Sequence, residues 1–198
     1  MENKQFNEQR YRRKKNKYRL SLGIQQFIYY PILNLFWGLF VIVYILLVIF
    51  EKEFVANMEV HSVFKTIFPL CMKAILIIVP FICAIGLIQA VGYCFAVKDE
   101  ADLEIIFNDK RDVKNQSPIL IYKKKDRKSG VVKREFYTSI SMERWQEKKE
   151  AICDRMDIHL IGDITYGGKK KNNGNLICFE AAKGRTPTER GVLYDDTF

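Results

Sequence analysis

The stretch ILNLFWGLFVIVYILLVIF, residues 32–50, decides how this chain is built. It carries no charge, and about 20 apolar residues in helical form are what the hydrocarbon core of a bilayer requires. The uncharged region opens earlier, at Leu20, and Phe27, Tyr29 and Tyr30 stand ahead of the apolar run as an interfacial aromatic belt. Pro31 suits the first turn of a helix, where its missing N–H has no intrahelical partner. A second uncharged stretch, AILIIVPFICAIGLIQAVGYCFAV, fills residues 74–97. Lys73 can snorkel to the interface ahead of it. Pro80 lies inside it as a potential kink, which membrane helices tolerate. Two membrane spans are predicted.

Working outward, the averages of the 198 residues look ordinary: 48% apolar types, 32 Lys plus Arg against 23 Asp plus Glu, net charge +9. The arrangement is not ordinary, because the charges lie outside the two apolar stretches. That segregation excludes a plain soluble domain and a disordered chain. About 100 residues, from Lys98 on, remain to fold in water. This is enough for a small adaptor or binding domain and too little for a large enzyme. The five cysteines form no C-x-x-C pair and are odd in number, which argues against a disulfide framework and suits a reducing cytosol. The N-terminus is not a cleavable signal, since its apolar run is too long and no small-residue cleavage site follows.

Orientation follows from the flanks. Residues 1–19 carry Lys4, Arg10, Arg12, Arg13, Lys14, Lys15, Lys17 and Arg19 against Glu2 and Glu8, whereas residues 51–73 balance to zero. The positive-inside rule places the basic arm in the cytoplasm, and two spans return the C-terminal part to the same side. The arm also favours an anionic inner leaflet.

Beyond Val97, Leu103, Ile106 and Phe107 recur at helical spacing, so the second span is expected to continue as a stalk with Asp99, Glu100, Asp102 and Glu104 on a solvated face. Residues 118–122 and 131–137 read as strands around the turn KKKDRKSG, 123–130. Ser141 is a good helix N-cap. The helix it opens carries Met142, Trp145, Ala151, Ile152 and Met156 on one face. Residues 159–166 and 176–181 form a second hairpin around GGKKKNNGN, 167–175. The predicted fold is therefore membrane α plus a small α+β unit, two transmembrane helices followed by a cytoplasmic hairpin-helix-hairpin. The division runs as a basic arm at 1–19, a two-span anchor at 20–97 with an outer loop at 51–73, a stalk at 98–117, the α+β domain at 118–182 and a connector at 183–198.

No catalytic, cofactor-binding or metal-binding residue is expected. No G-x-x-x-x-G-K-[ST] phosphate loop occurs. Cys153, His159 and Cys178 match no zinc spacing, and no Ser or Cys has an evident base partner. The positive signal is the pair of basic hairpin tips, Lys123, Lys124, Lys125, Arg127 and Lys128 on one and Lys169, Lys170 and Lys171 on the other. If both tips point the same way they form a patch for phosphates of DNA or lipid. Solvated turn residues that keep the domain soluble are the plainer reading. Trp145 is a candidate for docking a partner.

The order of parts has a counterpart. A basic arm, two spans with a short outer loop and a small α+β unit are followed by the connector KGRTPTERGVLYDD, 183–196, and a helix of the type WQEKKEAI, 145–152, precedes the strand region 158–166. This resembles the N-terminal membrane and adaptor region of FtsK/SpoIIIE-type DNA translocases, especially coupling proteins of Gram-positive conjugative elements. The resemblance covers residues 20–198 and is specific over about 140–198. It implies an ATP-driven hexameric motor at the cell membrane that moves double-stranded DNA. The family's Walker motifs have no counterpart in this sequence, so ATP and Mg are expected only if a motor follows residue 198. It further implies membrane lipid, other copies of the chain, double-stranded DNA and conjugation or secretion machinery as partners. The alternative is a freestanding two-span scaffold protein without enzymatic activity.

Overall fold

The computed structural model describes residues 2–57, 67–107, 116–168 and 173–184. The chain divides into two units, Met1–Val97 and Lys98–Phe198.

In the first unit, helix α1 spans Glu2–Tyr29. It stops where Pro31 forces the preceding residue out of the helical region: Tyr30 sits at φ −123° and ψ 86°. A single 3-10 turn, Pro31–Leu33, leads into α2, Asn34–Asn57. Helix α3 then runs unbroken from Ile67 to Phe107, with Pro80 inside it. Pro80 costs α3 one backbone hydrogen bond but does not end it. Residues Pro31–Glu51 and the apolar part of α3 are long and apolar enough to cross a membrane, and neither apolar window is covered by the rest of the chain. Helix α1 is a feature the sequence reading left open. Its last turns are buried at Leu22, Gln26 and Phe27. It crosses α3 where both helices carry glycine: a Cβ on Gly23 would overlap the Ile88 carbonyl, and one on Gly92 would overlap the Arg19 carbonyl. Small residues of this kind let two helices approach backbone to backbone. The Arg19 guanidinium lies 5.4 Å from the Tyr93 ring centroid, a cation–π distance.

In the second unit, strands β1 (Ile119–Lys125) and β2 (Val132–Tyr137) form the expected antiparallel hairpin. Helices α4 (Met142–Glu147) and α5 (Lys149–Met156) follow. Where one helix was expected, the backbone breaks at Lys148, φ −92° and ψ 9°. Ser141 precedes α4 in extended conformation, yet its side chain makes no cap hydrogen bond. Helix α5 ends at Asp157, held in the left-handed region at φ 52° with its N–H bonded to the Cys153 carbonyl, a conformation that Asp tolerates better than most residues.

The second hairpin is more complex than alternation suggested. Strands β3 (Ile158–Leu160) and β4 (Thr165–Gly167) both pair with the long β5 (Asn173–Lys183), β4 near its start and β3 near its end. Strand β2 pairs with the other edge of β5, so the two hairpins fuse into one antiparallel sheet ordered β1-β2-β5-β3.

Helices cover one face of this sheet. Phe136, Ile177, Phe179 and Ala181 point inward from β2 and β5, and Trp145 and Ile152 close over them from α4 and α5. Trp145 is fully buried, with ring centroids 4.7 Å from Phe107, 5.9 Å from Phe136 and 6.4 Å from Phe179. A side chain with no exposed surface cannot form a docking face, so the reading of Trp145 as a partner contact is corrected: it is the centre of the core. The end of α3 is likewise not a solvated stalk over its described part. Leu103 is fully buried and Phe107 is 6% exposed, and Asp99 and Glu100 are each 4% exposed. Of the acidic face expected in water, Asp99 and Glu100 belong instead to a structural layer of the sheet unit, Asp102 is half-buried, and Glu104 stays exposed. The remainder of that segment, 108–115, lies outside the described residues, as do most of the connector, 185–198, and the middle of the outer loop, 58–66.

Candidate anion-contact site

Lys123 reaches its position through a β-bulge. The β1–β2 register shifts between Leu120 and Tyr122, so Tyr122 lies opposite Glu135 and Lys123 opposite Arg134. The extra residue, Ile121, turns Lys123 to the covered face. Two cations directly across a strand pair repel. Here Asp99 compensates both: its Oδ2 is 2.8 Å from Lys123 Nζ and 2.9 Å from Arg134 Nε. One residue on, Glu100 Oε1 accepts the Leu120 N–H at 3.0 Å. Lys123 thus serves as a partly buried ion-pair partner, with 22% of its side chain exposed, and not as a free tip residue.

The turn beyond it is built around one carboxylate. Asp126 Oδ2 accepts the Ser129 hydroxyl at 2.6 Å, and Oδ1 accepts the Lys128 N–H at 3.1 Å. Its backbone closes the loop, the N–H bonding to Val131 O at 2.8 Å and the carbonyl accepting from Gly130 at 3.0 Å. These bonds, the Ser129 hydroxyl first, hold the Asp126 carboxyl below its ordinary value, helped by the nearby Lys124 charge. The fixed turn leaves Lys124, Lys125, Arg127 and Lys128 exposed.

The second tip, with Lys169, Lys170 and Lys171, lies outside the described residues. The strands that lead to it are described, and they decide where it starts. Strand β2 begins, next to the first tip, with Val132 opposite Ala181. Strand β4 ends, before the second tip, with Gly167 opposite Asn173. The stretch of β5 between Asn173 and Ala181 spans roughly 26 Å at about 3.3 Å per residue. The strand ends that flank the two turns therefore lie at opposite ends of that part of β5. The single compact patch that the sequence allowed is not formed by their strands. At the base of the second turn, Glu135 Oε1 accepts the Gly168 N–H at 2.6 Å.

Two concavities mark the sheet unit. One, of about 390 Å³, lies on the face away from the helices and includes Tyr122, Glu135, Asp163, Tyr166 and Cys178. Its three acids are already engaged, Glu135 by Gly168, Asp163 by Lys149 at 2.9 Å and Glu180 by Lys133 at 3.3 Å. The other, of about 270 Å³, lies at the end of the sheet that carries the first tip, and Lys98, Lys123, Lys125 and Lys183 line it together with Asp99 and Asp157. Lys183 closes β5 and Lys98 opens the unit's part of α3. Sequence reasoning missed both, because neither stands in a run of lysines. The only available signal was the strand register that returns β5 to the same end. His159 Nδ1 lies 2.8 Å from the Gly184 carbonyl, which makes it a strand-end hydrogen-bond partner. Neither Cys153 nor Cys178 forms a disulfide among the described residues.

No protein-family model matches this chain, and no curated protein matches it. Among solved structures it is similar to the pCW3 conjugation coupling protein TcpA, monomer form with ATPgS, at a TM-score of 0.37 and 18% identity. That match covers 46% of this chain and 25% of the TcpA chain. A likeness at this level carries no argument about function; the chain spans a quarter of the length of the protein it matches.

Proposed function

We propose that this chain is the membrane-anchoring and adaptor part of an ATP-driven translocase of double-stranded DNA, acting in conjugative transfer or chromosome segregation. The observation that carries the reading is the use of α3. One helix supplies both an apolar stretch long enough to span a bilayer and, through Asp99, Glu100, Leu103 and Phe107, the buried helical layer of a small sheet unit. A tether between a membrane and a motor needs such a continuous element. The order of parts and the connector segment 183–196, which resemble the lead-in to the motor in FtsK/SpoIIIE-type translocases, support the same reading.

In this reading two helices per subunit hold the machine at the cell membrane, with both ends of the chain in the cytoplasm. The sheet unit packs against neighbouring copies or against secretion machinery. Hydrolysis of ATP with Mg belongs to a motor domain, and no residue of this chain is assigned a catalytic role.

The test is genetic. An in-frame deletion of residues 31–97 in the native host should sharply lower DNA transfer to recipient cells, or segregation of the chromosome. Unchanged transfer and segregation would overturn the proposal and leave the freestanding scaffold reading in front.

A further inference from the structure

We propose that the basic end of the sheet unit, Lys98, Lys125 and Lys183 around their common groove with Arg127 and Lys128 at the adjoining turn, is a binding site for anionic phospholipid headgroups. The inference rests on the membrane-anchor reading and adds a ligand to it.

The argument begins with direction. Val97 closes the uncharged stretch of α3, and Lys98 is the next residue. Along α3, Phe107 meets Trp145, Glu100 meets Leu120 and Asp99 meets Lys123. Strand β1, going from Leu120 to Lys123, therefore runs back along the helix toward Lys98. It continues through Lys124 and Lys125 into the turn held by Asp126. Strand β5 ends at the same place, since Ala181 faces Val132 and Lys183 faces Ile158. The end of the unit that gathers these cations is thus the end at which the chain leaves its apolar stretch.

Charge makes the second step. Lys98, Lys125, Arg127, Lys128 and Lys183 are exposed there, against the exposed carboxylates Asp126 and Asp157. Asp126 is bound to its own turn, Asp99 is already paired with Lys123 and Arg134, and Asp102, which also lines the groove, is paired with Arg155. A surplus of positive charge remains. Cationic segments within a Debye length of an anionic leaflet are drawn to it by about fivefold in affinity per Lys or Arg. Lysine stems can also lie along apolar surface while the ammonium groups reach phosphate.

Geometry favours lipid over the other polyanion. Lys98 directly follows the uncharged stretch in the chain, which keeps at least this cation close to any bilayer that stretch enters. Duplex DNA is accordingly the competing outcome of the test.

The full chain is reconstituted in two lipid nanodiscs, one of phosphatidylcholine and one with about 30% phosphatidylglycerol in place of it, and amide hydrogen exchange is read over residues 124–131. Exchange in that turn should slow by about fivefold in the anionic disc and recover near 0.5 M salt, where screening shortens the Debye length to a few ångströms. A variant with Lys125→Gln, Arg127→Gln, Lys128→Gln and Lys183→Gln should lose the effect while the exchange of β5 stays as in the parent, which separates lost contact from lost fold. Equal exchange in both discs would overturn the site and leave the anchor reading standing. Slowing that appears only on adding a short DNA duplex would also overturn it, in favour of nucleic acid. A chain that enters neither disc would overturn the anchor reading, and this site with it.

Discussion

Asp99 Oδ2 lies 2.9 Å from Arg134 Nε, with only 6% and 9% of the two side chains exposed, and the same oxygen holds Lys123 Nζ at 2.8 Å. A carboxylate on α3 thus neutralises two cations that strand register has placed side by side. The pairing fixes the bulged end of β1 against the helix. Burial makes the arrangement unforgiving, because removing one partner leaves the others charged in a poorly solvated place.

Asp99→Ala should therefore destabilise the sheet unit by about 3–5 kcal/mol. Asp99→Asn should cost less, since its amide oxygen still accepts from one cation. Thermal unfolding of the full chain in detergent micelles measures both. Parent-like stability in Asp99→Ala would show that Arg134 and Lys123 reach solvent without it. The exposed pairs Lys149–Asp163 and Lys133–Glu180 serve as contrast; removing either should change stability by less than about 1 kcal/mol.

Trp145 tests the correction made to its role. Trp145→Ala should cost about 3–5 kcal/mol by opening a cavity among Phe107, Phe136 and Phe179. Trp145→Phe should cost clearly less, because a ring remains in place and the buried indole N–H, which has no hydrogen-bond partner in the structure, is removed. Equal penalties for the two would mean that the cavity is not the source of the cost, and no loss in either would return Trp145 to the surface.

The turn at Asp126 should respond to acid in one direction only. Its carboxyl is held below the ordinary value by bonds from Ser129 and Lys128. A lowered folded-state value means that the contribution is complete above the ordinary carboxylate range and is lost as the pH falls through the lowered value. The Lys128 amide, followed by NMR, should keep its hydrogen-bonded shift at neutral and mildly acidic pH and lose it only below the usual Asp titration. Asp126→Ala should abolish the shift at every pH. A Lys128 amide that titrates at the ordinary Asp value would show the bonds to be too weak to matter.

Much of this was legible in the sequence, for physical reasons that differ by region. The two apolar helices announce themselves as long uncharged runs, and the β1–β2 hairpin because alternation and an Asp-Arg-Lys-Ser-Gly turn at 126–130 coincide. What escaped depended on register. Periodicity marked Leu103 and Phe107 as apolar but could not show that Asp99 and Glu100, on the same helix, meet a buried Arg134 and the Leu120 amide. A bulge of one residue reverses the face of Lys123, and no local rule signals it. That the strand ends flanking the two basic turns lie apart along β5 required knowing that β5 pairs with β2 as well as with β4. Trp145 lies on the apolar face of an amphipathic helix, and that pattern does not say whether the face meets a sheet or a partner.

The glycines at the α1–α3 crossing give the last expectation. Gly92 faces the Arg19 carbonyl so closely that a Cβ would overlap it, and Gly23 meets Ile88 in the same way. The obstruction in each case is backbone, which cannot rotate aside as a side chain can. Gly92→Ala should therefore push the helices apart, weaken the Arg19–Tyr93 contact and expose the buried turns at Leu22 and Gln26. Gly86→Ala is the matched control in the same helix, since nothing lies within 4 Å of its added Cβ. There the substitution should be neutral or slightly favourable, because Ala is the better helix former by up to about 1 kcal/mol. Amide hydrogen exchange of residues 19–29 in nanodiscs reads the difference. Exchange at α1 should accelerate in Gly92→Ala by tenfold or more, for a loss of about 1.4 kcal/mol or greater, and stay unchanged in Gly86→Ala, with the sheet unit unaffected in both. If α1 exchanged at the parent rate in Gly92→Ala, the close crossing would not be what holds α1 in place.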